Sequence, residues 1–389
     1  MAQWAASGAM TLTGLPDEPL GPPDRLVEGM ERLGVAFPGL DPLALLGERA
    51  ALMGLWRHGT SSCGGSCRLL PGRDGWLAVS LPRADDMELV PAWLELTDAP
   101  RTAPDAWSAV GRAVGRRDPA ERVARAALLG LPVTRLGEAA EATAVGAERL
   151  GDAPARDATG LLVIDLSALW AGPLCGDLLA GAGATVVKVE SATRPDGARR
   201  GPAAFFDLLN WRKRSVALDL QSGEGRRLLQ ALVRRADVVI EASRPRALSQ
   251  FAISARSVVR DGGPQVWLSI TGHGRTGAAA NRVAFGDDAA VAGGLVVWAG
   301  ATPLFCADAV ADPVTGLTAA NACLDALAGG GRWLLDVSMA GVCAGLAGAT
   351  LPASPHIAVA DPTARVAERS APELGADTDE VLAEMGLTG

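Results

Sequence analysis

Residues 161–190 read LLVIDLSALWAGPLCGDLLAGAGATVVKVE. Two apolar runs, 161–166 and 184–190, flank a stretch of helical length at 172–182. A run that is apolar at nearly every position suits a strand covered on both faces, as in a parallel sheet. The stretch therefore reads strand, helix, strand, and the pattern continues downstream. Residues 216–220, 238–241, 265–270 and 333–337 read as further strands, and 223–235 and 312–328 as helices. Strands alternating with helices in this way imply an open parallel sheet.

Upstream the character differs. Leu43, Leu46, Ala50 and Met53 recur at helical spacing over residues 41–56, behind Asp41 as N-cap and Pro42 in the first turn. Residues 75–81 read as a strand, and 87–96, 105–114 and 119–129 as helices. The last opens on Asp118 and Pro119, with Glu121 in its first turn. Residues 138–150 read as a helix and 151–159 as a linker. The expected fold is α/β: a small α+β domain over residues 1–150, then an open parallel Rossmann-like sheet domain over 151–389. The tail at 349–376, rich in Pro and Ala, reads as flexible, and 377–385 as a short terminal helix.

Composition narrows the function. The chain has 389 residues, 49% of them hydrophobic, and a net charge of −8. No basic stripe offsets that charge, which argues against nucleic acid as a partner. The two longest uncharged runs, 289–307 and 337–360, are broken by prolines, so no membrane partner is expected. Residues 1–21 lack a basic start and a long apolar block, so a cytoplasmic location is expected. Cys63 and Cys67 have no second pair to join them, and the histidines are His58, His273 and His356, so no metal site is expected.

Open parallel sheets bind ligands beyond the C-terminal ends of their strands, where helix N-termini collect. Four segments belong there: 167–173; 188–200, with Arg194, Arg199 and Arg200; 210–215; and 241–246, with Arg244 and Arg246. The chain has 36 basic residues, of which only Lys188 and Lys213 are lysine, and both fall in these segments. A polyphosphate ligand would account for such a gathering; solvated loop charges are the plainer alternative. NAD fits poorly. The first turn, Ala171-Gly172-Pro173-Leu174-Cys175-Gly176, is not G-x-G-x-x-G, and Pro173 removes a donor that a pyrophosphate would use.

Residues 161–345 resemble the nucleotide-binding half of the family III CoA-transferases, the carnitine and bile-acid group that includes α-methylacyl-CoA racemases. The resemblance rests on Asp165-Leu166-Ser167 with Ala171-Gly172-Pro173, on Val187-Lys188-Val189-Glu190, and on NWRKRSVALDL at 210–220. Ala236 to Glu241 with Arg244-Pro245, Ser269-Ile270-Thr271-Gly272, and Asp312-Pro313-Val314-Thr315-Gly316 extend it. It implies coenzyme A as substrate, with contacts at Ala171, Gly172, Pro173, Lys188, Arg212, Lys213 and Arg214; Arg244 joins them from the charged set. It also implies a homodimer, with an acyl-CoA and a carboxylic acid as small-molecule partners.

Two departures stand out. Residues 1–145 resemble the later half of the family, so the halves come in unusual order. In the family an aspartate attacks the thioester and then carries CoA. An ungapped match through Arg282 and Gly293-Gly294-Leu295 puts Gly286 at that position, with Asp287 and Asp288 next. Either could be the nucleophile, or the two could cap a helix. His273, where the family has an aromatic, could serve as an acid–base group or be a polar loop residue. The expected function is acyl-CoA transfer between carboxylic acids through an aspartyl-CoA intermediate. The alternatives are an acyl-CoA racemase or isomerase and a non-catalytic CoA-binding relative.

Overall fold

A computed structural model describes residues 1–387 except 98–99, 101, 116–117, 244 and 354–355. The N-terminal region includes α1 (Leu26–Gly34) and α2 (Glu48–Met53). A three-stranded antiparallel sheet follows, built from β1 (Cys67–Gly72), β2 (Gly75–Ser80) and β3 (Val133–Arg135). Between β2 and β3 lie α3 (Ala84–Leu94), α4 (Ala103–Val114) and α5 (Pro119–Leu129). The chain then runs β4 (Val145–Gly151), β5 (Leu162–Asp165), α6 (Ala171–Gly181), β6 (Thr185–Ser191), α7 (Ala203–Asn210) and β7 (Arg214–Leu218). It continues through α8 (Gly223–Arg235), β8 (Val238–Glu241), α9 (Ala255–Arg260), β9 (Val266–Thr271), α10 (Gly286–Gly293) and α11 (Ala311–Ala328). Last come β10 (Arg332–Ser338), α12 (Met339–Leu346) and α13 (Thr378–Glu384).

The main sheet has seven strands in the order β4-β10-β9-β8-β5-β6-β7. All pairs are parallel except β4 with β10. Strand order reverses between β5 and β8, and such a switch point opens a crevice past the strand ends. Register puts Asp165 beside Lys188, and Lys188 beside Ser215.

Alternation along the strands divides the core. Val163, Val186, Ile240, Leu268 and Leu335 face a cluster with α6, α11, α12 and the N-terminal residues Trp4, Met10 and Leu26. Ile164, Val187, Val239, Trp267 and Leu334 face the other way, with residues of α8, α9 and α13. The small sheet and its helices share their own core around Trp93 and Val110. Cys67, Leu69 and Ala78 of the small sheet pack on Val291, Val296 and Phe305. No helix among the described residues is long and apolar enough to cross a membrane.

Three elements differ from expectation. Residues 138–150 form turns and then β4, because the ladder with β10 outweighs the local helical preference of Ala and Glu. Residues 41–56 split at Gly47 into a 3-10 turn, Ala44–Leu46, and α2, although Asp41 does cap Leu43 and Ala44. The tail, expected to be flexible, is laid down along the molecule by specific bonds. Ala360 N donates to Ala5 O at 2.9 Å, and Ala371 N to Asp207 at 2.8 Å.

Candidate active site

Three helices begin at one place. The first residue of α6 is Ala171, that of α10 is Gly286 and that of α11 is Ala311. The backbone N–H of Ala171 lies near Asp312, second in α11, and favours its charged form. Asp287, second in α10, lies near the Ser62 hydroxyl and the backbone N–H of Ala309, which favour its charged form. Between them the chain passes through Ala307 (φ 55°) and Ala309 (φ 43°), left-handed conformations that residues other than glycine rarely adopt. That contorted loop presents Asp308, fully buried, to Arg49 of α2. The guanidinium grips it with two bonds, 2.8 Å from Nε and 2.6 Å from Nη2. Arg49 also lies 5.3 Å from the centre of the Trp170 ring.

Three carboxylates thus surround one guanidinium, and the electrostatics follow. Burial pushes Asp287 up to about 6, helped by Asp308 and opposed by Arg49, Ser62 and Ala309. Burial likewise pushes Asp312 up to about 7, with Asp287 and Asp308 adding to it and Arg49 opposing. Helix N-termini favour anions, but here they only moderate the burial penalty. Gly286 is required by the packing: a Cβ there would collide with the Asp312 carboxylate and the Ala309 carbonyl oxygen.

Asp288 has another task. One of its oxygens accepts Phe285 N–H at 2.9 Å and closes the N-terminus of α10. The other is buried with no hydrogen-bond partner, and burial holds the group well above the usual carboxylate range. His273 is partly buried and is pushed down to about 3 by burial, then by Arg282. Among the described residues no contact joins it to Asp287 or Asp288, and its Nε2 is unpartnered.

The residues expected to meet CoA fall into two groups. Lys188 and Lys213 are buried behind the turn that opens α6. Lys213 Nζ donates to Asp165 Oδ2 at 2.8 Å and to the Pro173 carbonyl at 2.9 Å. Lys188 Nζ reaches Asp196 and the Ser167 carbonyl, both at 2.9 Å. Burial would raise Asp165, but Lys213 and Lys188 hold it below the usual range. Burial would lower Lys188, but Asp165 and Asp196 hold it above its ordinary value; for Lys213 burial wins and the value falls. Gly172 fits this tight turn because a Cβ would collide with the Ser167 side chain.

The second group faces outward. Arg212 is exposed, 4.5 Å from the centre of the Trp211 ring and 3.7 Å from Asp177. Arg214 pairs with Glu380 and Glu384 of α13. Arg244 lies outside the described residues.

The fold therefore brings the Ala171 turn together with Asp287 and sets both lysines behind that turn. Sequence reading missed Arg49, Ser62 and Asp308, and quoted Asp312 only within a motif. Asp308 and Asp312 could have been found as acids spaced among small residues in CADAVADP at 306–313. Arg49, 259 positions from its partner, left no local signal.

Fold and site together define an open-sheet α/β protein whose acidic centre lies where helix N-termini converge. The model of CoA-transferase family III matches residues 159–378, more than half the chain, and the protein belongs to that family. It is 32% identical over 188 residues to an acyl-CoA transferase of Fusarium pseudograminearum, covering 43% of this chain and 41% of that protein. It is 36% identical over 148 residues to the succinyl-CoA–L-malate CoA-transferase beta subunit of Chloroflexus aurantiacus, covering 36% of each. The chain thus spans less than half the length of these curated relatives. Among solved structures, a CAIB/BAIF family protein from Brucella suis matches 49% of this chain and 55% of its own, at 33% identity and a TM-score of 0.45.

Proposed function

We propose that this chain is an acyl-CoA transferase that moves CoA between carboxylic acids through an aspartyl-CoA intermediate on Asp287. One observation carries the proposal: a buried carboxylate, second in α10, set beside Arg49 where three helices begin, with its value pushed up to about 6 by burial. At neutral pH it is largely ionised and can act as a nucleophile.

The Asp287 oxygen attacks the thioester carbonyl, a C–O bond forms, and the C–S bond breaks to give a mixed anhydride and CoA thiolate. The thiolate then attacks the Asp287 carbonyl carbon, the anhydride C–O bond breaks, the first acid leaves, and aspartyl-CoA remains. A second carboxylate repeats the steps in reverse and departs as the new acyl-CoA. Arg49 and the helix N-termini supply the positive field for the developing oxyanion. CoA itself would lie along the Ala171–Gly172–Pro173 turn with Arg212 toward its phosphates, while Lys188 and Lys213 hold the turn from behind. A cytoplasmic homodimer is the setting we propose. The racemase alternative calls for His273 opposite an aspartate, and the geometry gives it no such support.

The test is intact-protein mass spectrometry after incubation with a panel of acyl-CoAs and a hydroxylamine quench. The wild type should show an adduct, Asp287→Asn should lose it, and Asp288→Asn should keep it. Persistence of the adduct in Asp287→Asn, or no adduct in the wild type, would sink the proposal.

A further inference from the structure

Among the described residues, six guanidinium groups lie over an aromatic ring. Five of them also have an oxygen to answer their charge. Arg49 grips Asp308, Arg57 donates to the Thr11 and Leu15 carbonyls, Arg83 pairs with Asp86, Arg199 with Glu190, and Arg212 lies near Asp177. Arg68 is the sixth. It lies 4.3 Å from the centre of the Trp107 ring, and its Nε is buried with no hydrogen-bond partner. Among the described residues no carboxylate or carbonyl takes up its charge. A buried donor left without an acceptor is costly, so few persist without a reason.

The small sheet explains the placement. Side chains alternate along a strand. Cys67 and Leu69 of β1 face α10, so Arg68 between them faces α3, α4 and α5. There it lines a concavity of about 430 Å³ with Ala103, Pro104, Trp107 and Ser108 of α4. Those four positions fall on one face of the helix. Trp107 is buried and backs the guanidinium, while Ser108 is exposed. Asp105, the only acid of α4, accepts the Thr102 hydroxyl at 2.8 Å. The pocket thus combines an apolar wall, a hydroxyl and one unanswered positive charge.

We propose that this pocket is a binding site for a small organic carboxylate, separate from the acidic centre. The planar fork of Arg68 takes the two carboxylate oxygens, Ser108 supplies a further donor, and the organic body lies along Ala103 and Pro104. Charge selects the class: one guanidinium answers one carboxylate, whereas a phosphate ester carries up to two charges at neutral pH. The site stands on the far face of β1 from the acidic centre. Cys67, adjacent to Arg68 but facing the other way, lies near Asp287 and Asp288. The inference does not depend on the transferase reading.

The test is calorimetric titration of the full chain at about pH 7 with benzoate, with succinate, with a phosphate monoester, and with benzamide as the uncharged control. A carboxylate should saturate at one per chain, and benzamide should give no binding. Arg68→Leu should weaken the carboxylate by more than about tenfold, and Ser108→Ala by about fivefold. Arg212→Ala and Asp287→Asn should leave it unchanged. Hydrogen exchange with the carboxylate present should slow across residues 67–72 and 102–108. No saturable carboxylate binding, equal binding of benzamide, or binding of the phosphate ester alone would overturn the inference. So would an affinity untouched by Arg68→Leu, or protection at α6 and β6 instead. Should Arg68→Leu not fold, Ser108→Ala, on the surface, and the exchange pattern of the wild type carry the decision.

Discussion

Asp287 and Asp288 are adjacent at the start of α10, yet one meets Ser62 and Ala309 while the other closes its own helix. The same contrast separates Arg212 from Lys213. Lys213 is buried, and its pairing with Asp165 anchors the turn that opens α6. Removing one partner of a buried pair leaves an uncompensated charge, so Lys213→Ala should destabilise the protein by about 3–5 kcal/mol. Arg212 is exposed, and its removal should change stability by less than about 1 kcal/mol. Urea unfolding and CoA binding by calorimetry should therefore separate the two. Arg212→Ala should fold normally and bind CoA about tenfold more weakly, in line with loss of a charge-assisted phosphate contact. Normal CoA affinity in Arg212→Ala would remove that residue from the binding site.

Among the elements, those with a strong local signal were legible. The apolar strands announced themselves by composition, and α5 by Asp118, whose side chain accepts Ala120 N–H at 2.9 Å. Elements fixed by distant partners were not. β4 is a strand because β10 lies beside it, and nothing in residues 145–151 says so. Likewise the acidic centre was half legible: Asp287 could be picked out, but Arg49 and Ser62 come from a part of the chain more than two hundred residues earlier. The tail shows the same limit. It has no periodicity, yet Arg365 ties it down, donating to Glu48 Oε1 at 2.6 Å and to Asp177 Oδ2 at 2.7 Å. Beyond it, Asp377 and Thr378 accept N–H groups of β7 at 2.7 and 3.0 Å, covering a sheet edge that would otherwise be open. Arg365→Ala would strand two buried carboxylates and should cost about 3–5 kcal/mol. Hydrogen exchange should accelerate across residues 357–376 and leave α11 protected. Unchanged exchange in the tail would mean that its backbone contacts suffice.

Across the whole molecule, the acidic centre and the Asp165 pairs act on stability in opposite senses. Asp165 has a lowered value in the folded state, so its contribution is present above its ordinary value and is lost as pH falls through the lowered one. Asp287 and Asp312 are raised, to about 6 and about 7, so the folded state binds more protons than the unfolded state above about pH 4. Stability then falls as pH rises and levels off once both groups have ionised. For Asp287 the shift from 3.8 to about 6 corresponds to roughly 3 kcal/mol lost by pH 8. Asp287→Asn removes that loss and keeps an oxygen near Ser62 and Ala309. It should match the wild type in urea at about pH 4 and exceed it by roughly 3 kcal/mol at about pH 8, while forming no adduct. A variant no more stable than the wild type at pH 8 would mean that Asp287 ionises freely in the fold. A gain confined to alkaline pH would tie the instability of this centre to the charge that makes it reactive.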